Sequence, residues 1–99
     1  MNKVILLVGS KLNGLYVNDM LVVYPSELKN NMANLEYFLQ LAEQYKFALE
    51  EMEIDFLCKE DDKKTNRLDC LPTELYKFSK EYKGWFIDWS EKYDRKRID

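Results

Sequence analysis

Residues 3–24, KVILLVGSKLNGLYVNDMLVVY, decide the fold class. Positions 3–8 form an apolar run closed by Gly9-Ser10, the pattern of a buried strand. Leu15-Tyr16-Val17 and Met20-Leu21-Val22-Val23-Tyr24 flank Asn18-Asp19, two residues that tolerate positive φ and so suit a two-residue hairpin turn. Lys11-Leu12-Asn13-Gly14 supplies the turn before them, and Pro25 ends the run. The expectation is a β-meander with strands at about 3–8, 13–17 and 20–24.

Working outward, Leu35, Phe38, Leu39, Leu41, Ala42, Tyr45, Leu49 and Met52 gather on one face when stepped at 100° per residue. That stripe predicts a helix over about 31–52, with Ser26, Asn31 or Asn34 as its N-cap. Ile54, Phe56 and Cys58 alternate with Asp55 and Leu57, which reads as a short fourth strand over 54–58 or, as the alternative, a fraying end of the helix. Residues 59–66, KEDDKKTN, read as a charged, solvated loop. Leu71-Pro72-Thr73-Glu74 is a helix-start signal. Beyond it Leu75, Phe78, Tyr82, Trp85, Phe86, Trp89 and Tyr93 share one arc, predicting a second helix over 73–93. The whole reads as one α+β domain over 1–99, a three- or four-stranded antiparallel meander with two helices on one face.

Composition bounds the function classes. Of 99 residues, 46% are hydrophobic and 33% charged, as in ordinary globular proteins. A net charge of −3 disfavours a general coat for phosphate backbones. The N-terminal apolar run is too short for a secretory leader, and no stretch approaches the roughly 20 apolar residues of a membrane span. The cytoplasm is the expected compartment, with Cys58 and Cys70 as reduced thiols. Abundant Lys, Asn, Tyr and Phe beside sparse Ala, Gly, Arg and Pro suggest an AT-rich genome, such as a low-GC bacterium or its phage.

The motifs that carry chemistry fall short one by one. Gly9-Ser10-Lys11-Leu12-Asn13-Gly14 has the spacing of a phosphate loop, but Leu15 and Tyr16 stand where Lys and Ser/Thr must be. A calcium loop starting at Asp61 would put Asn66 at the glycine position and Pro72 at the bidentate glutamate position. With no His, the usual nucleophile–base pairs have no base, and two Cys make no zinc set. Cys70, placed before the second helix, is the better reactive thiol of the two. No enzyme activity, cofactor or metal is expected.

What remains is surface. Tyr37 and Phe47 fall off the buried stripe of the first helix, and Tyr76 and Ile87 off that of the second. Together with Trp85 and Trp89 they are the candidate contact residues, since Trp and Tyr dominate interface hot spots. Glu50, Glu51, Glu53, Asp55, Glu60, Asp61 and Asp62 form an acidic stretch able to steer a basic partner. The expected function is a small protein-binding inhibitor or adaptor acting by steric occlusion, with self-association into a homodimer as a further outcome. The alternative is a nucleic-acid accessory protein using Arg95, Lys96 and Arg97 beside the neighbouring aromatics.

Overall fold

The computed structural model describes residues 2–82 and the backbone of Trp85 and Phe86. The N-terminal meander forms as the sequence dictates. Strand β1 (Val4–Val8) pairs antiparallel with β2 (Asn13–Val17), Val4 facing Val17 and Val8 facing Asn13. The Gly9 N–H closes the connecting turn on the Leu12 carbonyl at 2.9 Å. Strand β3 (Met20–Val23) returns beside β2 through Asn18 and Asp19, whose φ values of 50° and 70° are those the tight hairpin requires.

Pro25 occupies the first turn of a one-turn helix, α1 (Pro25–Leu28), where its missing N–H costs nothing. Helix α2 (Leu35–Tyr45) starts at Asn34, whose Oδ1 accepts the Tyr37 N–H at 3.2 Å, so one of the three expected caps is the working one. The helix stops at Tyr45, short of the expected end at 52. The apolar period runs on through Leu49 and Met52, but Lys46 adopts the left-handed region (φ 59°) and turns the chain out of the helix. A 3-10 turn (Leu49–Glu51) carries it onward.

The crossover through α2 sets the sheet topology. It returns the chain to the far side of β1, so β4 (Glu53–Phe56) runs parallel to β1, Ile5 beside Glu53 and Val8 beside Phe56. The sheet is therefore mixed, with order β3-β2-β1-β4, and not the purely antiparallel meander expected. The two-residue β5 (Trp85–Phe86) adds an antiparallel edge to β4.

Both faces are covered, which corrects the expectation of two helices on one face. On one side Val4, Leu6, Leu15, Val17 and Val23 pack under Phe38, Leu41 and Ala42 of α2. On the other, Ile5, Leu7, Tyr16 and Leu21 meet Leu57, Leu71, Leu75, Phe78 and Tyr82. All of these last residues except Leu57 belong to a strap, residues 70–82, that follows a third helix, α3 (Lys59–Leu68). Thus the segment expected as a solvated loop is helical. Among its described residues the segment expected as a helix from 73 holds a 3-10 turn (Leu75–Lys77) and then β5, while 83–84 and 87–93 lie outside the described residues. Leu75, Phe78 and Tyr82 have helical spacing, yet Glu74 (φ −129°, ψ 135°) and Phe78 (φ −76°, ψ 161°) are extended. Pro72 reinforces the strap, because its carbonyl accepts the hydroxyl of the fully buried Tyr16 at 2.5 Å.

Candidate functional site

Helix α3 has almost no apolar residues, and it docks through polar ones. Asp61 and Thr65, one turn apart, are its buried positions, each 3% exposed. The Asp61 carboxylate accepts four hydrogen bonds. Tyr82 Oη donates to Oδ2 at 2.5 Å, Ser79 N–H and Oγ donate to Oδ1 at 3.0 and 2.7 Å, and the Cys58 thiol donates to Oδ2 at 3.2 Å. Burial pushes the Asp61 pKa up, but the bonds from Tyr82, Ser79 and Cys58 outweigh it and hold the carboxyl below its ordinary value. Burial, and then the bond to Asp61, push the Tyr82 phenol well above its ordinary range. Every donor here belongs to the chain itself, so the cluster is chemically a fastener between α3 and the strap. Asp62 makes a second clasp, taking Ser10 N–H at 2.9 Å and Ser10 Oγ at 2.7 Å from the β1–β2 turn.

Asp61, Lys64, Thr65 and Leu68 recur at i, i+3, i+4 and i+7, so they share the helix face turned to the strap. Between them and Pro72, Lys77 and Phe78 lies a pocket of about 190 Å³. Leu68 at its rim is 57% exposed. Lys59, Lys63 and Arg67 follow each other at four-residue intervals on the outer side of α3, all exposed. Neither they nor Lys64 make an ion pair among the described residues.

The expected contact residues meet different fates. Tyr76 is 74% exposed on the strap. Tyr37 is half-buried on α2, whereas Phe47 is a core residue, 8% exposed, because the chain leaves the helix before it. The side chain of Trp85, and the whole of Ile87, Trp89, Arg95, Lys96 and Arg97, lie outside the described residues. The acidic stretch is spread over several elements. Glu50 and Glu51 sit on the 3-10 turn after α2, Glu53 and the buried Asp55 on β4, and Glu60, Asp61 and Asp62 in the first turn of α3. Burial removes Asp55 and Asp61 from any steering surface. Cys70 is exposed, but it follows the C-terminal end of α3, its N–H on the Thr65 carbonyl, rather than opening a helix. The 9–14 segment is the hairpin connection that its sequence implied.

The sequence pattern does not single out the basic face of α3 or its Leu68. A signal is present in the four-residue spacing of Lys59, Lys63 and Arg67, and in an acidic first turn followed by basic residues, which suits the helix dipole. Among the described residues no group of three metal-ligating side chains occurs, and no helix is long and apolar enough to cross a membrane. Compared with protein families, with characterised proteins and with solved structures, the chain matches none.

Proposed function

We propose that this chain is a non-enzymatic protein-binding module that occupies a partner's surface through the face made by α3 and the strap. One observation carries the reading. The convergent polar groups at Asp61 are spent on holding the strap, while Leu68 (57%) and Tyr76 (74%) are left exposed on the two elements it joins. An exposed leucine at the rim of a small pocket, with an exposed tyrosine elsewhere on the strap, supplies the materials of a contact site rather than of a reaction centre. The module's proposed form is an inhibitor or adaptor of the cytoplasm encoded by a phage or mobile element, and the composition supports the AT-rich genome of that reading.

The test is in-cell photo-crosslinking. A photoreactive residue at position 76 or 68 gives a discrete protein adduct, and one at Gln44, exposed on α2, does not. Absence of an adduct from both 76 and 68 overturns the proposal.

A further inference from the structure

We infer that the pocket between α3 and the strap receives an acidic segment of the partner, one apolar side chain entering while flanking carboxylates meet Lys64 and Lys77. This rests on the protein-binding reading and adds the chemistry of the bound segment. The pocket's 190 Å³ is below the roughly 300–1,000 Å³ of small-molecule sites, so it has room for a single side chain. Its floor makes no polar demand: the Asp61 oxygens are taken up by Tyr82, Ser79 and Cys58, and Thr65 Oγ1 donates to the Asp62 carbonyl at 3.1 Å. Phe78, Pro72 and Leu68 supply the apolar wall.

The rim is cationic. Lys64 has no ion pair among the described residues. Lys77 has only Glu74 there, at 3.8 Å with the lysine more than half exposed, a contact weak enough to exchange for a partner's carboxylate. Lys63 and Arg67 extend the positive edge, with Glu60 beside them. Around the pocket Lys63, Lys64, Arg67 and Lys77 outnumber Glu60, Glu74 and the buried Asp61, a local positive excess on a chain of net charge −3 that steers acidic partners by long-range attraction. Nucleic acid is the competing polyanion. Its recognition without sequence preference uses rows of exposed stacking rings, whereas the ring in this pocket, Phe78, is 9% exposed. That leaves Tyr76 as the single exposed ring of the strap.

The experiment pans a displayed library of random peptides against the full chain and measures the selected peptides by fluorescence anisotropy. The expected winners carry Leu, Met, Phe or Trp between Asp and Glu residues, and they bind more weakly as salt rises. K64E/K77E weakens them at least about tenfold, whereas K29E, in the turn that follows α1, leaves them unchanged. Winners that are neutral or basic, winners indifferent to K64E/K77E, an empty selection, or a single-stranded oligonucleotide that displaces them from the same lysines each overturn the inference. The crosslinks from positions 68 and 76 are read separately, so the broader protein-binding proposal stands or falls on its own result.

Discussion

Removing the Tyr82 hydroxyl should loosen the strap by an amount that depends on Asp61. The phenol donates to a carboxylate that is 3% exposed, and hydrogen bonds to charged groups contribute about 1.5–3 kcal/mol. Y82F is expected to cost about 2 kcal/mol. D61A strands the donors of Tyr82, Ser79 and Cys58 together, but Ser79 is exposed and regains water. Its cost is then about 3–4 kcal/mol rather than the sum of four bonds. In the double variant the Tyr82 hydroxyl has already lost its acceptor, so the two costs overlap by about 1.5 kcal/mol. Urea unfolding followed by circular dichroism measures every corner of the cycle. With a slope of about 1–2 kcal/mol/M, Y82F should move the midpoint down by about 1–2 M. A coupling below about 0.5 kcal/mol would refute the idea that Asp61 and Tyr82 form one fastener.

The same bond gives a signed pH dependence. Asp61 is held below its ordinary 3.8 in the folded chain, so on acidification the unfolded chain takes up this proton first. The stabilisation is complete above that ordinary value and is lost as pH falls through the lower folded one. D61N, which does not titrate, should show a shallower loss of stability below about pH 4. Tyr82 works at the other end. Its raised pKa leaves its contribution intact below 10.0, and stability falls above that as the unfolded chain releases the proton.

Three further substitutions probe single features. Y37F removes a hydroxyl that is buried without a partner among the described residues, while keeping the edge-on ring contact with Phe38. It should raise the melting temperature by a few degrees, and a fall would contradict the burial cost. G14A places a Cβ 2.5 Å from Leu71 Cδ1 and 2.9 Å from Leu21 Cδ1, and should cost about 1–3 kcal/mol in chemical denaturation, less in an L71A background. N34A removes the α2 cap and should cost about 1 kcal/mol, with N34D close to wild type in the same assay.

Legibility of the fold follows the kind of burial involved. Strands β1, β2 and β3 are readable because each combines an apolar run with turn residues of the right conformation, Asn18 and Asp19 above all. The parallel placement of β4 is not, since no local pattern in Glu53–Phe56 records which strand it will join. Helix α2 looks longer in the sequence than it is, because Leu49 and Met52 reach the core whether or not the backbone stays helical. The strap imitates a helix for the same reason: Leu75, Phe78 and Tyr82 need only reach the sheet, and an extended chain with one 3-10 turn achieves it. Helix α3 is silent because hydrophobic periodicity cannot register a helix that buries an aspartate and a threonine. Of the candidate site, Tyr76 is visible in the sequence, and the lysines of α3 are hidden inside what reads as a loop.

The polar docking of α3 also explains why its outer face has the character it does. A helix seated by an apolar stripe can slide against its support with small loss, because the hydrophobic effect has no direction. A carboxylate satisfied by four donors has one seat, and a small shift lengthens several bonds together. With Asp61 and Thr65 pointing inward, helical geometry puts Lys64 and Leu68 at the rim and Lys59, Lys63 and Arg67 outside. On the strap, Ser79 and Tyr82 are held to Asp61, which brings Lys77 and Phe78 to the opposite wall of the same pocket. The fastener therefore sets the spacing of the two lysines without being part of the contact. D61N should weaken the selected acidic peptides even though Lys64 and Lys77 are intact. The loss should shrink when the strap is tied back to α3 by another route, such as a disulfide engineered between the two elements. Undiminished peptide affinity in D61N would separate the two roles and show that the lysine spacing does not depend on the buried carboxylate.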